Sequence, residues 1–168
     1  MSANLIVEVI NAIQDINARI DDIVSAPHLA DYPASIENMQ MPLCLTDLST
    51  ETGFSVNCGN SLTIIGLTTT IYIHPFALQY YGQVRHNIIK AVDDFRRKYR
   101  DEATYLYADK GKKILESAGL LVWIDLATSF RPVVPSTERP IEYPVGTGKF
   151  YHGVRISFNA IGRDGSGC

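Results

Sequence analysis

Residues 61–75, Ser-Leu-Thr-Ile-Ile-Gly-Leu-Thr-Thr-Thr-Ile-Tyr-Ile-His-Pro, decide the fold. Successive side chains of a strand point to opposite sides, so Ile65, Leu67, Ile71 and Ile73 share one face, while Gly66, Thr68, Thr70, Tyr72 and His74 share the other. The first set makes a core face and the second is half polar. The Ile and Thr content suits a pleated surface, and Pro75 closes the ladder because it has no amide hydrogen to donate. Beyond it the spacing predicts an amphipathic helix that starts between Leu78 and Gly82 and runs to Arg100. Its apolar line is Tyr81, Val84, Ile88, Val92, Phe95 and Tyr99. Asp93 with Arg97, and Asp94 with Lys98, are acid-before-base pairs one turn apart. Arg96, Arg97, Lys98 and Arg100 fill the last turns, where positive charge complements the helix dipole.

Upstream, Ile6, Val9, Ile13, Ile16, Ile20 and Ile23 recur at helical spacing and predict a helix over Asn4 to Val24. Glu8, Asn11, Gln14, Asp15, Asn17, Arg19 and Asp22 take its other side, and Pro27 ends it. A seam that stops there suits a helix lying on a sheet better than a coiled coil. Pro27, Pro33 and Pro42 mark a turn-rich link to a strand over Leu43 to Leu48. Phe54 to Cys58 reads as a second short strand, and Gly59-Asn60 as a turn.

Downstream, Thr104 to Ala118 has no single period, with Lys112 to Ser117 suited to a short helix closed by Gly119. Leu120 to Phe130 reads as a strand apolar on both faces, which predicts a central place in the sheet. Arg131 to Gly148 carries Pro132, Pro135, Pro140, Pro144, Gly146 and Gly148, and a last strand runs from Lys149 to Ile161. These two strands make a long hairpin, and a loop of that length is a candidate interaction arm. The expectation is one α+β domain over residues 1–161 with a flexible tail over 162–168. It has a mixed, mostly antiparallel sheet, two main helices packed on one face, and a long C-terminal β-hairpin arm.

The chain has 168 residues, 20% of them charged, and a net charge of -3. That length supports a continuous core without disulfide or metal, and the charge gives no reason to expect tight nucleic-acid binding. No apolar run reaches the ~18 residues of a membrane span, and the first residues lack the pattern of a secretory signal, so a cytoplasmic site of synthesis is expected. Cys44, Cys58 and Cys168 form no Cys-x-x-Cys pair and read as buried or half-buried thiols, although Cys44 and Cys58 are placed to face each other across neighbouring strands.

Motifs for chemistry are sparse. Gly146-Thr-Gly-Lys-Phe150 is superficially a phosphate loop, but Tyr143 and Phe150 stand where that motif needs Gly and Ser or Thr. His28, His74, His86 and His152 have no metal-ligand spacing, and a zinc site from His74, His152 and Asp125 is a weak candidate that only the fold could assemble. Asp125 stands out as a charge inside an apolar strand. There is no nucleophile elbow and no dinucleotide fingerprint, so neither catalytic residues nor a cofactor is expected.

A long helix, a proline-marked strand (Pro42 to Leu48), the long strand Leu62 to His74, a second helix Tyr81 to Arg100 and a final strand containing Tyr151-His-Gly-Val-Arg-Ile-Ser-Phe158 follow in that order. This order resembles the tail terminator and tail-completion proteins of long-tailed bacteriophages over most of the chain, to about Ile161. The resemblance implies a non-enzymatic virion protein of the tail or neck, assembled in the host cytoplasm. It implies a homo-hexameric ring that caps the tail tube, partnered by the tube protein and a head-side connector, with DNA passing but not held tightly. The alternatives are a head-completion or neck connector protein, and a small α+β enzyme or ligand-binding domain. Tyr72, Tyr143 and Phe150 are the candidate subunit-contact residues, chosen as amphipathic aromatics on the half-polar face and the arm.

Overall fold

The computed structural model describes residues 4–49, 55–57, 62–101, 120–125, 129–133 and 140–164. The turn at Gly59-Asn60, residues 104–118, Cys58 and the last four residues lie outside them. Helix α1 spans Asn4–Asn17 and α2 Tyr81–Asp101; the strands are β1 Leu43–Leu48, β2 Ser55–Asn57, β3 Leu62–Pro75, β4 Leu120–Asp125, β5 Arg131–Val133, β6 Ile141–Glu142 and β7 Phe150–Asp164. Short 3-10 turns stand at Leu29–Asp31 and Leu78–Tyr80. This is the expected α+β class.

The seven described strands form one sheet in the order β1-β3-β7-β4, with β2 on β3, and β5 and β6 on β7. Every strand pair is antiparallel, and the parallel component is an isolated bridge from Ser25 to Leu43. The centre belongs to β3 and β7, which pair from Leu62↔Arg163 to Pro75↔Tyr151 with a register shift between Tyr72 and His74. β4 is therefore not central: among the described strands it pairs with β7 alone. The hairpin exists, but its first arm is broken into β4, β5 and β6, laid end to end along β7. β7 continues three residues past the expected end at Ile161, since Gly162, Arg163 and Asp164 pair with β4.

One face of the sheet is covered by the helices and the other in part by the chain's own link and β6. On one, Ile65, Leu67, Ile71 and Ile73 of β3 meet Val154, Ile156 and Phe158 of β7 beneath α1 and α2, in a cluster that includes Val9, Ile13, Ile16, Val84, Ile88, Phe95 and Tyr99. Phe95, Tyr99 and Phe158 stack there with centroids 4.2–5.7 Å apart. On the other, Ile36, Leu43, Leu45, Tyr72, Ile141 and Tyr151 form a second cluster closed by the proline-marked link and β6. Gly153 fits between them because a β-carbon there would collide with the Ile71 carbonyl oxygen.

Helix α1 is shorter than its apolar periodicity predicts. After Asn17 the bonds tighten to i→i+3 steps, Arg19 N to Ile16 O at 3.0 Å, Ile20 N to Asn17 O at 3.1 Å and Ile23 N to Ile20 O at 3.2 Å. Asp22 then takes φ +68°. Ile20 stays buried because a turn satisfies the same three-residue spacing as a helix. Gln14 and Asn17, expected on the solvent side, are fully buried. Gln14 Nε2 donates to Pro27 O at 2.8 Å and Cys44 O at 2.9 Å, while its Oε1 accepts from Asn17 Nδ2 at 2.9 Å and Thr46 Oγ1 at 2.8 Å. Tyr99 Oη donates to Asn17 Oδ1 at 2.6 Å, and Thr46 Oγ1 lies 2.7 Å from Thr69 Oγ1. This satisfied network ties both helices to β1 and β3.

Candidate self-association surface

A sheet-forming subunit can meet a neighbour through a strand edge, a face or a protruding end, and the first is largely closed at β1. Cys44 N donates to Ser25 O at 2.9 Å, and Thr46 N and O both bond the Tyr32 hydroxyl, at 2.8 and 2.6 Å. Tyr32 thus takes the place of a neighbouring strand on that edge. Burial pushes the Tyr32 phenol well above its usual value, the Thr46 bond opposing and Asp47 adding to the shift. β5 is exposed along its length and carries Pro132, which offers no amide hydrogen for pairing.

The expected open aromatic face is corrected at Tyr72. It is 5% exposed, with Tyr143 and Tyr151 packed edge-on at centroid distances of 5.6 and 5.9 Å. Burial drives its phenol pKa up, against the nearby Arg155 charge. Its partner is the chain itself, because the link from Tyr32 to Met41 and strand β6 fold over that part of the face. Tyr143 is half-buried and its hydroxyl donates to Pro33 O. Phe150 is 42% exposed and is the candidate aromatic that faces outward.

Several exposed apolar groups lie near Phe150 at the β6–β7 end of the sheet, while Val7, Val24, Leu48, Ile89 and Val133 are exposed elsewhere. Phe76 N donates to Phe150 O at 3.0 Å, which lays the segment after β3 against the start of β7. That segment presents Leu78, Tyr80 and Tyr81, 66%, 43% and 46% exposed, so Tyr81 does not join the core line of α2. The β6–β7 turn adds Val145 at 89%. Its backbone is fixed: the Glu142 carboxylate accepts Gly146 N at 2.9 Å and Gly148 N at 3.0 Å, and Tyr143 N donates to Lys149 O at 3.0 Å. Gly146 and Gly148 sit at φ +89° and +73°, the left-handed region glycine tolerates. The phosphate-loop look-alike therefore does cradle an anion, its own Glu142.

The zinc triple does not form. His74 and His152 are cross-strand partners, but Asp125 pairs with Asn159, seven residues along β7 from His152 and on the order of 20 Å away. His152 Nε2 lies 3.1 Å from both the N and O of Ala77, and no metal-ligating group of three occurs among the described residues. Cys44 is buried, and burial raises its thiol pKa strongly. In the basic run, Arg97 bonds Asp93 at 2.6 Å and Asp94 at 3.2 Å, and Lys90 bonds Asp94 at 2.6 Å and Asp22 at 2.7 Å. A cleft of about 260 Å³ opens beside that Lys90 pair, its lining including Ile23, Met41, Pro42, Ile73 and Ala91.

Sequence reasoning named Phe150 and the arm as candidates and did not single out Leu78, Tyr80 and Val145, which are exposed as well and whose only signal was apolar residues next to turn formers. Compared with known proteins, the chain matches no family model and no curated relative.

Proposed function

We propose that this protein is a structural virion component, a ring-forming tail terminator that caps the phage tail tube and joins it to the head-side connector. The observation that carries the reading is the group of exposed apolar side chains, Leu78, Tyr80, Tyr81, Val145 and Phe150, on the segments that meet at the start of β7. Apolar surface gathered on a rigid end is the signature of a contact surface. The α+β fold with two helices on one face agrees with what the resemblance implies. In this reading Phe150 and the hairpin tip meet a neighbouring copy, Tyr143 braces the tip, and Tyr72 supports it from within the second core. Light scattering tests it: the purified chain is expected to gain mass with concentration toward a hexamer, and a constant monomer mass over the whole range would count against the ring.

A further inference from the structure

We propose that His152 is a proton-operated latch: neutral, it holds the backbone of Ala77 against the end of the sheet, and protonated, it lets that segment go. The latch is independent of the ring reading.

One ring nitrogen meets a donor and an acceptor at once. His152 Nε2 lies 3.1 Å from both Ala77 N and Ala77 O, and it can serve only one of them. The amide decides which. Ala77 O already accepts from Tyr80 N at 3.3 Å, whereas Ala77 N has no acceptor besides His152 among the described residues. An amide left unpaired is rarer in folded proteins than a carbonyl with one lone pair unused. The neutral imidazole therefore carries its hydrogen on Nδ1 and accepts from Ala77 at Nε2. Nδ1 makes no bond in the protein and is not sealed from solvent. A further proton goes to Nε2, where it turns the acceptor into a donor that faces the Ala77 amide. Imidazole changes charge between about pH 5 and 8, so the latch is closed at the upper end of that range and opens as pH falls through it.

What the latch holds is the run from Phe76 to Tyr80. The Phe76 ring lies 4.8 Å from the His152 ring, and Ala77 opens the 3-10 turn Leu78–Tyr80 with no side-chain cap of its own. Exposed Leu78 and Tyr80 ride on that turn.

The surrounding groups give the added charge no partner. On β3 the cross-strand neighbour is His74, whose Nδ1 lies 2.7 Å from Pro75 O and whose ring meets Tyr80 at 5.1 Å. Two imidazoles that gain charge over one pH range repel each other, which adds to the opening. Tyr151, next along β7, turns into the second core, Glu142 of β6 is taken by Gly146 and Gly148, and Lys149 is paired with Glu37. Tyr81, Arg85 and His86 in the first turns of α2 are exposed. Among the described residues no carboxylate bonds His152 or His74.

Heteronuclear NMR of the isotopically labelled full chain, titrated from about pH 8 to about pH 5, tests the latch. At the upper end the His152 ring is expected to carry its hydrogen on Nδ1. On acidification Ala77 amide exchange, corrected for its intrinsic pH dependence, is expected to speed at least about tenfold relative to amides of the β3–β7 ladder. His152→Gln offers an acceptor that does not titrate and is expected to keep Ala77 protected throughout, while His74→Asn is expected to retain the step. A hydrogen on Nε2 at the upper end, Ala77 exchange that keeps pace with the ladder, a step that survives in His152→Gln or one that vanishes in His74→Asn would each overturn the proposal. None of these outcomes depends on whether copies associate.

Discussion

Tyr99 lies on the core face of α2, and its hydroxyl ends as the donor to Asn17 Oδ1 at 2.6 Å inside a network that includes Gln14, Thr46 and Thr69. Removing that donor leaves a buried acceptor unpaired. Tyr99→Phe is expected to lower stability by about 1–3 kcal/mol in urea unfolding, well above the few tenths of a surface change. The network was half legible. On the core face of β3 the set Ile65, Leu67, Ile71, Ile73 skips Thr69, and a polar residue in that gap needs a partner; the helical wheel alone could not say that Gln14 and Asn17 supply the other end. Asp47 gives a second residue-scale outcome. Partial desolvation raises its carboxyl above the ordinary 3.8, so the folded state holds the proton more tightly than the unfolded chain. Its charged form therefore lowers stability above the folded pKa, and this penalty fades as pH falls through 3.8. Asp47→Asn is expected to melt at or above the wild-type temperature at pH 7, with the difference gone near pH 3.

At the scale of elements, the Glu142 carboxylate takes two amide hydrogens of the hairpin tip. Glu142→Ala is expected to leave the melting temperature nearly unchanged, because water reaches the turn, but to speed amide exchange at Gly146 and Gly148 at least about tenfold. Unchanged exchange would show that the carboxylate does not order the turn. Deleting the arm outright is a poorer probe. Residues 135–143 include Ile141, 1% exposed in the second core, and Tyr143, so their loss unpicks the cover over Tyr72 as well as any contact. Strands β1 and β3, helix α2 and the last strand were readable because each has one clean period. The end of α1 was not, since Ile20 and Ile23 keep helical spacing through a turn. The order of strands was not either, because two apolar faces on Leu120 to Asp125 say nothing about which strand lies beside it.

At the scale of the whole molecule, the opening expectation was a half-polar sheet face waiting for a neighbour. Part of that face is instead closed by the chain's own link and β6, and exposed apolar groups, Val145 and Phe150 among them, stand at the hairpin end. The proposed contact surface thereby moves from the middle of β3 to the tip beside Phe150. Sedimentation velocity of wild type and Val145→Asp, run side by side over a wide concentration range, tests this most directly. The account predicts a wild type that grows by mass action toward six times the chain mass and a variant that remains smaller at every concentration. A wild type that sediments as a monomer throughout, or a variant that assembles as readily as the wild type, would contradict it.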